Sequence, residues 1–492
     1  MYYLGIDIGS SSVKVALVEI ATGISKCVVQ EPEEDMSIFS EQHGWAEQEP
    51  EDWWQYICTA IRRIKKETNI LESTIFGIGI AYQMHGLVLV DADGNSLRKS
   101  IIWCDSRAVA IGDKACQEIG DDYCNHNLLN SPANFTASKL KWVQENEPEV
   151  YAKAYKFMLP GDYIAFRFSN TINTTISGLS EGVFWNFKDK KISDKVLEQY
   201  QISKALVPKL VANFGNQGNV SEKGAKESGL LVGTPILYRA GDQPNNALAL
   251  NVFEPGEVAA TGGTSGVVYA VTDNLSAKET SRVNNFAHVN YSIDGLKRIG
   301  KLLCINGAGI QYKWLKDNLD VKSYEDMNTL ASTAPVGSDG ICLLPFGNGA
   351  ERMFCNKDIG SRILNLNLNR HTKAHICRAA LEGIAFSFVY GMELMKADGV
   401  RPNVIRAGND NLFRAKIFSD TIATLIGHEI EIYDTTGAIG AARACAIAEK
   451  GHDKFKSYMG NDYIKSFLPS KNKNKYKKAY QSWKKELELI NT

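Results

Sequence analysis

The sequence predicts an α/β fold whose two lobes close on a shared cleft, and three observations carry that expectation. Strand-like and helix-like apolar patterns alternate through most of the chain, as in a mixed α/β domain. Its 492 residues exceed what one hydrophobic core usually supports, so two domains are expected. A unit of strand, Gly/Ser/Thr turn and strand occurs twice, near the start and in mid-chain, which implies two related lobes meeting one ligand from opposite sides.

The first unit is Gly5-Ile6-Asp7-Ile8-Gly9-Ser10-Ser11-Ser12-Val13-Lys14. Tyr2 to Ile8 and Val13 to Val18 carry the β-branched, alternating pattern of paired strands, so Gly9 and the three serines must form the turn. Such a turn admits a phosphate because glycine lacks a Cβ, while backbone N–H groups and hydroxyls supply donors. Asp7 beside that anion would be repelled unless a divalent cation stood between them, so it is read as holding hydrated Mg²⁺, directly or through water. Lys14 adds a positive end. The second unit runs from Val258 through Thr261-Gly262-Gly263-Thr264-Ser265-Gly266 to Tyr269, preceded by Gly241-Asp242-Gln243. Two phosphate clamps with a lone aspartate ahead of the second suggest an ATP-dependent phosphotransferase. No Gly-x-x-x-x-Gly-Lys-Ser/Thr stretch and no strand-borne Gly-x-Gly-x-x-Gly is present, so a P-loop and a dinucleotide fingerprint are excluded.

Between the units, Pro50 followed by Trp53, Trp54, Ile57, Ile61 and Ile64 predicts a helix with proline in its first turn. Ile75 to Ala81 predicts a buried strand ending at Tyr82-Gln83-Met84-His85-Gly86. Leu87 to Val90 and Ile101 to Trp103 predict further strands, the latter ending at Cys104-Asp105-Ser106-Arg107; polar groups at such ends line crevices. Thr136 to Trp142 and Asp162 to Phe168 read as helices, and 171–213 as mixed. Pro255-Gly256 marks a boundary, giving domains over 1–250 and 251–450 and a helical tail over 451–492. In the second half, Gly307-Ala308-Gly309-Ile310-Gln311 opens a helix, His375 to Met395 is the longest helical pattern, and Phe413 to Ile426 is helical. Thr435 to Ala442 opens a helix at small residues, which would serve either close nucleotide approach or tight packing.

A formal net charge of −1 gives no field for nucleic acid or an anionic membrane, so any anion site must be local. The ten cysteines are scattered without Cys-x-x-Cys or zinc spacing and read as reduced core thiols. The sequence opens on a strand pattern rather than a leader, no apolar run reaches membrane-spanning length, and the cytoplasm is the expected compartment.

These motifs, in this order and over nearly the whole chain, resemble the FGGY carbohydrate kinases, and among them the xylulokinases. The resemblance implies two ribonuclease-H-like domains of the actin, hexokinase and Hsp70 superfamily clasping ATP. It implies that Asp7, Ser10, Ser11, Ser12 and Lys14 form the first phosphate loop, and Gly263, Thr264 and Ser265 the second. Gly307 and Gln311 correspond to nucleotide contacts, and Gly408 and Asn411 to the adenosine segment, although Arg406-Ala407-Gly408-Asn409 replaces the usual run of glycines. Met84 and His85 are similar to the sugar-contacting motif, Trp103, Asp105 and Arg107 to the neighbouring strand end, and Asp242, with Gln243 beside it, to the catalytic base. The implied partners are a small sugar and ATP with Mg²⁺, with neither nucleic acid nor membrane, and a second copy of the chain as a candidate homodimer partner. The implied reaction is phosphorylation of D-xylulose to D-xylulose 5-phosphate. A sibling kinase for L-ribulose, L-fuculose or glycerol, or an idle sugar or nucleotide sensor, is the alternative.

Overall fold

The computed structural model describes residues 1–278 and 280–491. Its first sheet has five strands in the order Ile236–Gly241, Ile75–Tyr82, Tyr2–Ile8, Val13–Glu19, Ser25–Glu31. The three earliest strands pair antiparallel and the two later ones add parallel. The seven-stranded second sheet repeats this plan: Glu257–Gly262, Gly266–Thr272 and Ile299–Ile305 pair antiparallel, and Val404–Gly408 and Ile430–Tyr433 add parallel. Asn284–Ala287 and Tyr463–Phe467 extend its two edges. The duplicated turn seen in the sequence is thus one part of a duplicated sheet.

Both faces of the first sheet are covered, which is why its strands read as near-continuous apolar runs. Leu4, Ile6 and Ile8 pack with Trp53, Ile57 and Ile61 of the Pro50–Thr68 helix. Tyr3, Ala16 and Val18 pack with Ala438, Ala442 and Cys445 of the Gly437–Lys450 helix. That second helix comes from the half of the chain expected for the second domain, yet it lies on the first sheet. Contact is close enough to require glycine: a Cβ on Gly5 would stand 1.9 Å from the Ala438 carbonyl oxygen, and one on Gly79 1.9 Å from that of Ala441. The small residues at this helix opening therefore serve packing, the second of the two readings the sequence allowed.

Other elements follow the expected pattern with local exceptions. Lys373–Ala397 is the longest helix of the described residues. The strand expected over Ile101 to Trp103 is only Ser100–Ile101, because the chain turns at Trp103 to carry Asp105 inward. The helix expected over Phe413 to Ile426 is broken at Ala415, whose ψ of 111° is extended, into Asn411–Arg414 and Lys416–Ile426. Segment 451–492 contains the Lys473–Asn491 helix and also the edge strand Tyr463–Phe467. Among the described residues no helix is long and apolar enough to cross a membrane, and no group of three or more His, Cys, Asp and Glu is placed to hold a metal.

Replacing Gly79 by Val drives a side chain into the backbone of the Gly437–Lys450 helix and is expected to cost more than about 2 kcal/mol in urea unfolding. Gly460→Ala, where an added Cβ meets nothing within 4 Å, is the matched control and should stay within about 0.5 kcal/mol of the parent.

Candidate active site

The first turn joins antiparallel partners in which Asp7 sits opposite Lys14, so strand register places a carboxylate and an ammonium side by side at the mouth of the turn. Gly9 N–H donates to the Ser12 carbonyl at 3.0 Å and closes it. Behind the turn, Gln48 donates to the Ser10 carbonyl at 2.7 Å and accepts from Gln83 at 2.9 Å and Trp53 at 3.2 Å. Gln48 is buried and fixes the turn from below; nothing local in the sequence marks it.

Asp242 opens the Asp242–Ala249 helix directly after the Ile236–Gly241 strand. Asp7, Ser10, Ser11, Ser12, Lys14, Met84, His85, Trp103, Asp242 and Gln243 all line one cavity of about 600 Å³, together with Ser265 of the second turn. Burial raises the Asp242 carboxyl to about 7, and the nearby Asp7 adds to that shift. Asp7 is itself raised by burial, with Lys14 opposing. Two facing carboxylates in a desolvated cleft with one lysine fit a divalent cation completed by water and phosphate oxygens.

Elsewhere in the cavity lining, His85 holds a left-handed backbone, φ 63°, which is strained for a residue with a Cβ. Two bonds impose it. Buried Lys139 donates to the His85 and Ile102 carbonyls, each at 2.9 Å, and so ties the Ile75–Tyr82 strand end to the Trp103 turn. His85 Nδ1 lies 3.0 Å from the Glu181 carbonyl and must donate to it. Burial, reinforced by Lys139, lowers the imidazole to about 3, so the ring is neutral and Nε2 is left as an acceptor. Met84 packs under Gly241, where a Cβ would come within 2.5 Å of both Met84 Cγ and Glu181 Oε2. Glu181 is buried, and desolvation followed by repulsion from Asp242 raises it well above the ordinary carboxyl range. It lies in the mixed region, on a short helix with no motif to announce it.

Asp105 and Arg107 do not reach the cavity. Asp105 is fully buried, accepts from Ala46 N–H at 2.6 Å and pairs with Arg107 at 2.7 Å. The guanidinium stacks 3.8 Å from the Trp45 ring and 4.8 Å from that of Trp142. Both residues brace the turn that presents Trp103, which is 52% exposed at the cavity mouth.

The second turn is held by Asp410, which accepts from Gly262 N–H at 2.7 Å and from Phe413 N–H at 3.1 Å. Gly263 and Thr264 line a smaller cavity of about 70 Å³ with Gly309, Ile310, Tyr312, Lys313, Tyr324 and Leu412. Gly309 is glycine because a Cβ there would stand 1.9 Å from the Gly263 carbonyl oxygen. Gly307 and Gln311 line neither cavity: Gly307 N–H donates to Glu351 at 2.9 Å, and Gln311 accepts from Ser361 at 2.5 Å. Gly408 ends its strand with open space where a Cβ would be. The Asn411 side chain lies outside the described residues. The cavity also receives Asn134, Phe135, Asn284, Cys304, Arg352 and Asn356, which sequence reasoning did not single out.

Residues 2–249 match the N-terminal domain of the FGGY family of carbohydrate kinases, and residues 258–449 match its C-terminal domain. This chain belongs to the FGGY family of carbohydrate kinases. It is 30% identical over 407 residues to a xylulose kinase of Staphylococcus epidermidis, covering 82% of this chain and 78% of that protein. It is 27% identical to the xylulose kinase of Bacillus subtilis strain 168 over 492 residues, 98% of this chain and 96% of that one. The crystal structure of a xylulose kinase from Rhodospirillum rubrum superposes with a TM-score of 0.88 at 22% identity, covering 100% of this chain and 99% of the other. The protein is accordingly an ATP-dependent sugar kinase with the two-domain fold of that family.

A raised carboxylate is favoured in the folded protein when protonated, so the Asp7–Asp242 pair costs stability as pH rises from the ordinary carboxyl range through about 7. Thermal melts in EDTA at pH 5.5 and pH 8 should therefore show part of the loss at high pH removed by Asp242→Asn, and removed in the parent by excess Mg²⁺.

Proposed function

We propose that the protein transfers the γ-phosphoryl group of ATP to the terminal hydroxyl of a ketopentose, making D-xylulose 5-phosphate from D-xylulose. The observation that supports it best is the sharing of one cavity by Asp242, the first phosphate turn and the Met84–His85 pair. A sugar hydroxyl is a poor nucleophile, and phosphoryl transfer depends mainly on positioning and charge neutralisation. Asp242, raised toward 7, suits the acceptance of a proton near neutral pH. The sugar O–H bond breaks toward Asp242, the oxygen bonds to the γ-phosphorus, and the bond to the leaving ADP oxygen breaks in line.

Lys14 and the N–H groups of the two turns meet the phosphoryl oxygens in this reading. Asp7 would hold a divalent cation, Mg²⁺ in this reading, which when bound would neutralise charge on the nucleotide phosphates. Neutral His85 accepts a hydrogen bond from a sugar hydroxyl through Nε2, Met84 gives an apolar wall, and the exposed ring of Trp103 covers a sugar face. Residues 1–250 then carry the sugar site and first turn, and 251–450 the nucleotide turn, with Gly408 and Asn411 assigned to the adenine. The xylulose kinase relatives favour D-xylulose over L-ribulose, L-fuculose or glycerol.

A coupled ATPase screen across pentuloses, hexuloses and polyols tests the substrate. D-Xylulose should give the highest kcat/KM; slow turnover with every acceptor would favour a sensor and defeat the proposal. Asp242→Ala should lower kcat with the best acceptor by on the order of 10²–10⁴ while the fold is retained by circular dichroism. A near-normal kcat would remove Asp242 from the role of base.

A further inference from the structure

Arg352 is a cation in the cavity with no acid among the described residues to meet it. It lies on the second lobe, at the start of the 3-10 turn Arg352–Phe354 after the Cys342–Phe346 strand, and lines the same cavity as Asp242 and His85. Its Nη2 donates to the Thr280 carbonyl at 3.1 Å, and its buried Nε has no partner among the described residues. Among the described residues no carboxylate stands within ion-pair distance of it. The adjacent Glu351 turns its carboxylate the other way, accepting Asn306 N–H at 3.0 Å and Gly307 N–H at 2.9 Å.

The loop is built to hold this side chain in place. Glu351 N–H donates to the Lys357 carbonyl at 3.0 Å, Asn356 N–H donates to the Glu351 carbonyl at 3.1 Å, and Cys355 and Asn356 turn the chain through left-handed backbone. Met353 and Phe354, next along the chain, are buried in the core of the second lobe. A guanidinium in a desolvated site without a counter-charge costs folding free energy, and so is kept for oxygens that arrive with a ligand.

Its position tells which oxygens. Arg352 shares the cavity lining with His85, Cys304 and Asp242, and its charge helps to hold down the basicity of His85 on the sugar side. The phosphate turns have their own donors in Lys14 and the backbone N–H groups, on the side of Asp7.

We infer that Arg352 is a specificity-determining residue, donating hydrogen bonds from the second lobe to the oxygens at the end of the sugar remote from the hydroxyl that is phosphorylated. This rests on the ketopentose reading of the cavity. With D-xylulose the oxygens concerned are those on C1 and C2, and closing the lobes brings Arg352 onto a sugar already held by His85. A site that hydrogen-bonds a substrate hydroxyl through otherwise unpaired donors rejects the analogue lacking it far more strongly than an apolar pocket does.

The test compares D-xylulose with 1-deoxy-D-xylulose as acceptors for the parent, Arg352→Gln and Arg352→Lys. The parent should prefer D-xylulose by at least about 100-fold in kcat/KM, and Arg352→Gln should shrink that preference below about tenfold. The same variant should raise the sugar KM at least about 20-fold while leaving the ATP KM within about twofold, with Arg352→Lys intermediate. An unchanged sugar KM, an equal rise in both KM values, or a parent that accepts both sugars alike would overturn the proposal. The last outcome needs no variant and decides the matter if Arg352→Gln does not fold. If the parent phosphorylates another sugar instead, the substrate reading fails, and that sugar and its deoxy analogue replace the pair. A protein that phosphorylates no sugar overturns both.

Discussion

The arrangement depends on one electrostatic constraint: two carboxylates, Asp7 and Asp242, are brought to a single desolvated cleft by strands that flank Ile75–Tyr82 in the first sheet. Each raises the cost of ionising the other, and a lone lysine cannot relieve both. A polyphosphate brought by itself would worsen the repulsion. The cleft is therefore suited to a nucleotide that arrives with a cation, and Asp242 is left as the group whose proton affinity matches neutral pH.

The rest of the first lobe maintains that geometry. Gln48 locks the turn after Asp7 from below, and Lys139 ties the strained His85 to the Trp103 turn, so the two walls of the cavity are set by buried polar bonds rather than by surface loops. The Gly437–Lys450 helix reaches the same place from the far end of the chain: a Cβ on Gly437 would stand 2.3 Å from Asp7 Oδ2. The lobes are thus joined next to the carboxylates, and the second lobe contributes Ser265 and Arg352 to the opposite wall.

What the sequence displayed best was whatever depends on local pattern. Both hairpins, the Pro50–Thr68 helix, the Lys373–Ala397 helix and the gathering of Asp7, Ser10, Met84, His85, Trp103 and Asp242 at strand ends were readable, since each sits where a periodic run stops at glycine or a polar group. Groups acting across the fold were not. Gln48, Glu181 and Arg352 lie far in sequence from what they touch, and no spacing rule links them to the cleft. Gly307 and Gln311 show the converse, residues at a motif that line neither cavity and bond instead to Glu351 and Ser361. Asp105 and Arg107 likewise read as cleft residues from their strand end, yet the Trp45 and Trp142 rings claim the guanidinium for packing.

The most direct test of the carboxylate pair is the pH dependence of kcat/KM for the sugar at limiting and at saturating divalent cation. The account predicts an acid limb of unit slope near pH 7 when the cation is scarce. That limb should move to lower pH as the cation saturates and Asp7 no longer repels Asp242. A limb that stays fixed across cation concentrations, or persists unchanged in Asp242→Asn, would contradict it.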